Sequence, residues 1–178
     1  MKKNTSVSLS DFVDDVYILK ALTRYNNKFK IISESVAEHS YFVAVLTLKL
    51  HDDYEFDLEK ALKMSLIHDI PELHLSDVTH DVKRNFPKLA DEVVKAEYVI
   101  MKERYPQWYS TFKHFEDQDS PEAIAVKMAD NLSCVQYATA EMELGNKGYM
   151  KEVATNAAKR VMQCESDLQK YSRIKNAN

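Results

Sequence analysis

Glycine is nearly missing from this chain: Gly145 and Gly148 are the only two in 178 residues, beside four prolines. Tight hairpins and the phosphate loops of doubly wound folds need glycine where φ turns positive or where backbone meets a phosphate. Neither a G-x-x-x-x-G-K nor a G-x-G-x-x-G pattern occurs, which excludes the usual glycine-rich nucleotide cradles. Cysteine is scarce too. Cys134 and Cys164 lie in apolar helical patterns and form no C-x-x-C pair, which points to a reduced, cytoplasmic setting. No apolar run approaches the roughly 20 residues that span a bilayer, so no membrane partner is expected. The opening MKKNTSVSLSDFVDD carries lysines with no apolar stretch behind them, so a secretory signal is not expected. A formal charge of −4 argues against a broad nucleic-acid surface and leaves a small basic pocket open. No nucleic-acid polymer is therefore expected as a partner.

Helical periodicity is what the chain does have. There is no repeat or linker-like tract, and residues 1–178 fit a single domain able to bury roughly 70% of its unfolded surface. A first helix is expected over Leu9–Leu22, with Ser8 and Asp11 in capping-box spacing. A second starts at Ser35, boxed with Glu38, and runs to about His51. A third follows Asp57 and ends near Ile70, because Pro71 disfavours helix at the residue before it. Others cover about Phe86–Arg104, part of the aromatic stretch Trp108–Phe115, Ser120-Pro121 to Leu144 with Gly145 as its stop, and Met150–Ser172. The tail RIKNAN is expected to fray. The fold class is all-α, a compact helical bundle.

Three of these helices carry polar groups on apolar stripes. His39 lines up with Val43, Leu46 and Leu50; Leu58, Leu62, Ser65 and Leu66 lead to Asp69; Ala123, Val126, Cys134 and Tyr137 flank Asp130. A lone buried aspartate costs several kcal/mol unless paired. Two aspartates with two histidines have an economical solution in a shared divalent metal held by His39, His68, Asp69 and Asp130. Glu72, three residues past Asp69, is placed for proton transfer or to support a ligand. Taken singly, each residue has a plain reading: His39 as a satisfied core histidine, Asp130 as a polar neighbour of Asn131, Glu72 as a solvated loop residue. The ordered combination on three inward-facing helices favours the metal.

The segments LTRYNNKFKIISESVAEHS (Leu22–Ser40), LIHDIPELHLSDVTHDVK (Leu66–Lys83) and VKMADNLSCVQYATAEMELGN (Val126–Asn146) resemble the HD-domain metal-dependent phosphohydrolases. Within them the chain is most similar to the 5′-deoxynucleotidase branch typified by bacterial YfbR. The specific signs are Arg followed by an aromatic, V-x-E-H-S, H-D-x-x-E with a later Asp, and K-x-A-D, spread from Leu19 to about Asn146. The resemblance implies His39, His68, Asp69 and Asp130 as ligands of a cobalt, manganese, zinc or magnesium ion, and Glu72 as the carboxylate beside the attacking water. It implies Asp77 as a second acid near the 3′-hydroxyl, Arg24 as the phosphate clamp, Tyr25 against sugar or base, and Lys83 as added positive charge. The implied reaction is release of phosphate from deoxynucleoside 5′-monophosphates. Triphosphate release from a dNTP is the alternative, and a nucleotide-binding scaffold the non-enzymatic one. A homodimer or larger homo-oligomer is implied as well. Tyr25 stands where tryptophan is common, Pro71 and Asp81 depart from the bacterial pattern, and the match weakens after Gly145. These departures bear on specificity. His74 and His80 are read as solvated, with His80 nearer the pocket, and Trp108 with its aromatic neighbours as core or interface.

Overall fold

Ser35 closes a complete capping box with Glu38, and Ser8, Asp57 and Ser120 each accept a backbone N–H three residues on. These caps satisfy amide groups that a helix start leaves unpaired and so fix where four helices begin. The computed structural model describes residues 7–175. Among them the helices are α1 (Leu9–Ile18), α2 (Val36–Asp53), α3 (Leu58–Ile67), α4 (Glu72–Leu75), α5 (His80–Asn85), α6 (Pro87–Arg104), α7 (Tyr109–Asp117), α8 (Pro121–Glu143) and α9 (Gly148–Lys175). No strand occurs among the described residues, only an isolated bridge between Thr23 and Ser35. The all-α class is the one the sequence predicts. No described helix is long and apolar enough to cross a membrane.

α8 is the hub and packs against α2, α3, α7 and α9. Val43, Met64, Phe115, Val126 and Leu168 meet in the main core. A second cluster joins Ile67, Met101, Tyr105 and Phe112, with Phe12 and Trp108 against it. Each such side chain stabilises by roughly 1.5–3 kcal/mol relative to exposure. Gly145, at φ 105°, ends α8 in a conformation that favours glycine.

The structure corrects several expectations. α1 stops at Ile18, not Leu22, because the chain turns to set Val36 N–H on the Leu22 carbonyl and form the Thr23–Ser35 bridge. α3 stops at Ile67, three residues before Ile70. Its inward face is also rotated: Ala61, Met64, Ser65 and His68 are buried, whereas Leu66 is 57% exposed. Small residues let α3 approach α2, where Thr47 and Ser65 hydroxyls lie 2.9 Å apart. Close approach at Ala61 and Ser65 thus outweighs the leucine periodicity. α4 and α5 were not expected. α9 runs through Lys175, so the tail begins helical, and residues 176–178 lie outside the described ones.

A buried carboxylate helps hold the loop between α1 and α2 onto α8. The Glu141 carboxylate, wholly buried, accepts from the backbone N–H groups of Ile31 and Ile32 and from Asn146 Nδ2 at 2.6 Å. Tyr137 Oη donates to the Ile32 carbonyl at 2.8 Å. Glu141→Ala would strand these donors, so a loss of about 2–4 kcal/mol is expected in denaturant unfolding. Burial pushes the Glu141 carboxyl up, but the Asn146 amide and the two backbone donors hold it below its usual value. A depressed folded pKa gives stability that is present above the unfolded carboxyl's value of about 4.3 and is lost as pH falls through the folded one. Glu141→Gln should flatten that acid loss in melts run from neutral pH downward.

Candidate active site

α3 ends where the His-Asp pair begins. His68 is its C-cap, and the chain continues in i to i+3 bonds: Ile70 N–H to the Ile67 carbonyl, Glu72 N–H to that of Asp69, His74 N–H to that of Pro71. Three residues per turn set positions i and i+3 above one another. Glu72 therefore follows Asp69 on one side of the chain, and both line the same cavity of about 390 Å³. Pro71 serves this turn by starting α4 at φ −57°.

His39 comes from the first turn of α2 and Asp130 from the middle of α8. The ligand atoms of His39, His68 and Asp130 lie within 4.8 Å of one another. His39 Nε2 is 3.3 Å from Asp130 Oδ1 and 3.5 Å from Asp69 Oδ2, and His68 Nε2 is 3.2 Å from Asp69 Oδ2. Both Nε2 atoms are buried, yet neither is hydrogen-bonded. His39, His68 and Asp130 converge on a common point instead of pairing off, and Asp69 Oδ2 stands beside that trio, against both imidazoles. Buried polar atoms are almost always bonded, so two orphaned imidazole nitrogens facing two carboxylates fit a divalent cation. Imidazole and carboxylate donors suit zinc, manganese or cobalt.

Electrostatics agree with this. Burial and the Arg24 guanidinium keep His39 below the usual imidazole range. Burial acts on His68 in the same sense, but Asp69 beside it wins and raises it. Against the cost of burial, His68 and His39 hold Asp69 low, while Lys127 and His39 hold Asp130 low. Glu72 is the exception. Burial, Asp69 and Asp77 push its carboxyl well up, and its Oε2 is buried without a partner.

The other residues named from the sequence fall in or beside the same cavity, whose wall includes Arg24, Tyr25, Asp77 and Lys83. Arg24 is held on three sides: Nη1 to Glu34 Oε2 at 3.0 Å and His39 Nδ1 at 2.9 Å, Nη2 to Cys134 Sγ at 3.4 Å. Tyr25 N–H donates to Asp77 Oδ2 at 2.5 Å, and the Tyr25 ring stacks on Tyr137 with centroids 5.2 Å apart. Lys83 pairs with Glu97 at 3.4 Å. His80 is exposed at the cavity wall, and His74 is exposed outside it. Trp108 packs in the second core cluster. Sequence reasoning missed Lys127, whose Nζ is 2.9 Å from Asp130 Oδ2, and Ser133, 3.0 Å from His39 Nδ1. They stand three residues before and after Asp130 on α8, so helical spacing from that aspartate would have found both.

An all-helical scaffold sets two buried imidazoles against two aspartates, with a buried, unpartnered glutamate in the adjoining cavity. The chain belongs to the HD-domain family, whose model matches residues 16–170, a family of metal-dependent phosphohydrolases. It is 30% identical over 137 residues to the 5′-deoxynucleotidase HDDC2 of Danio rerio, covering 67% of this chain and 62% of that protein. It thus spans less than two thirds of that relative. The human 5′-deoxynucleotidase HDDC2 is 26% identical over 148 residues, 79% of this chain and 71% of that one. A crystal structure of a Pyrococcus horikoshii OT3 protein superposes with a TM-score of 0.76 at 30% identity, covering 93% of this chain and 99% of the other.

Proposed function

We propose that this chain hydrolyses deoxynucleoside 5′-monophosphates to deoxynucleoside and phosphate. The observation that carries the reading is the pair of unpartnered imidazole nitrogens set against Asp69 and Asp130, with the unpartnered Glu72 in the adjoining cavity. The relatives named 5′-deoxynucleotidase support the choice of substrate. His39, His68, Asp69 and Asp130 would hold the divalent cation, which when bound supplies a Lewis acid and lowers the pKa of water. Glu72, its carboxyl raised by burial and by Asp69 and Asp77, takes the proton from the attacking water as general base. Arg24 presents a fork of donors to the phosphoryl oxygens, and Lys83 adds a second cation. Asp77, one oxygen engaged by Tyr25 N–H, offers the other to the sugar 3′-hydroxyl. Tyr25, stacked on Tyr137, lies in the cavity wall on the sugar's side.

Arg84, Lys127 and Arg160 also line the cavity. These cations favour a second reading, a dNTP substrate that leaves triphosphate. Metal-loaded protein offered dNMPs, NMPs and dNTPs separately, with products resolved by chromatography, decides between them. Phosphate from dNMPs and not from NMPs is the expected result. Triphosphate from a dNTP would install the second reading. No product in any well, with metal bound, would leave a nucleotide-binding scaffold.

A further inference from the structure

The two imidazoles of the centre differ on their far sides. His68 Nδ1 lies 2.8 Å from the Ser65 carbonyl oxygen. A carbonyl only accepts, so Nδ1 carries a proton, and in the neutral ring Nε2 keeps its lone pair. His39 Nδ1 has two neighbours, Arg24 Nη1 at 2.9 Å and Ser133 Oγ at 3.0 Å. A guanidinium only donates, whereas a hydroxyl does either. A neutral imidazole has one lone pair in its plane. If Arg24 donates to Nδ1, the proton sits on Nε2 and that nitrogen cannot ligate. If Nε2 ligates, the proton sits on Nδ1, and Ser133 is the neighbour able to accept it. Arg24 and a metal therefore make incompatible demands on His39. No such contest exists at His68.

We propose that His39 is a tautomeric switch linking the cation to the phosphate clamp: ligation at Nε2 places the ring proton on Nδ1, passes that hydrogen bond to Ser133, and frees Arg24 Nη1 for the phosphoryl group. The inference rests on the proposed ligand set and on Arg24 as the phosphate partner. The proton lost at Nε2 is matched by one gained at Nδ1, so the ring stays neutral. Nη1 carries two N–H groups: the one on Glu34 stays and the one toward His39 is released, while Nη2 keeps Cys134. Ser133, 1% exposed and one helical turn from Asp130, is the positioning residue that holds the ligating tautomer. By reciprocity, phosphate that draws Arg24 away tightens the cation by the same factor that the cation tightens phosphate.

The test is nitrogen-15 NMR of the histidine side chains in the full chain, with zinc as the probe. Metal-free wild type should show His39 protonated on Nε2 and His68 on Nδ1. Zinc should move the His39 proton to Nδ1 and leave that of His68 in place. Arg24→Met should show His39 protonated on Nδ1 before zinc is added, a change that removal of a nearby charge alone would not produce. Ser133→Ala should weaken zinc about tenfold in chelator competition. His39 already protonated on Nδ1 in the metal-free wild type, or Ser133→Ala binding zinc as tightly as wild type, overturns the switch with the ligand set intact. Zinc that shifts neither Nε2 signal overturns the ligand set and the switch with it.

Discussion

His68→Ala protein is expected to lose its metal and its turnover together. His68 supplies one of two buried side-chain nitrogens that lack a hydrogen-bond partner among the described residues, and its other nitrogen is already committed to the Ser65 carbonyl. Among the described residues no histidine but His39 joins His68 in this cluster: His74 is exposed outside the cavity, and His80 is exposed at its wall against Arg160. The expected fall in kcat/KM is at least about 10³-fold, which is about 4 kcal/mol of transition-state stabilisation. Binding to the native state raises the melting temperature by mass action, so the variant should also lose the stabilisation that added metal gives wild type. Asp69→Ala should behave alike, since Asp69 Oδ2 faces both imidazoles. His74→Ala is the control and should keep metal and activity. Metal-dependent turnover at full level in either His68→Ala or Asp69→Ala would show that the centre lies elsewhere.

Glu72→Gln should separate the proton chemistry from the metal. The amide keeps the shape of the carboxylate and removes the base, so kcat should fall by about 10²–10⁴-fold while metal content stays that of wild type. The fold should tolerate the change. Burial and the carboxylates of Asp69 and Asp77 all disfavour a charge at this position, so a neutral amide relieves a conflict. Thermal unfolding at or above the wild-type temperature is the expected result, the usual relation between a strained functional group and stability. A variant that keeps wild-type kcat would remove Glu72 from the reaction. One that loses metal as well would make it a ligand.

Much of the placement of this candidate site is legible in the sequence. His39 falls in register with Val43 and Leu50, and all three are buried. Ser35 and Glu38 announce the start of the helix that carries it. Asp130 shares a face with Val126 and Tyr137 and faces the histidines as that phase requires. Other features are set by packing between elements far apart in sequence. Leu66 continues an apolar pattern but points outward, because Ala61 and Ser65 bring the opposite side of α3 against α2. Glu141 reads as one more charge near the end of α8, yet it is fully buried against backbone about 110 positions earlier. Tyr25 is expected against sugar or base, and nothing in its local sequence shows that its ring is stacked on Tyr137. Local signals such as caps and phase travel in the sequence; a partner a hundred residues away does not.

The most direct measurement is a metal titration of chelator-stripped protein with dAMP as substrate, bound metal per chain and released phosphate being read on the same samples. The stripped protein should be silent, and phosphate release should rise in proportion to bound ion and level off at one ion per chain. Hydrolysis by protein that holds no metal, or silence toward every dNMP at full loading, would contradict the account.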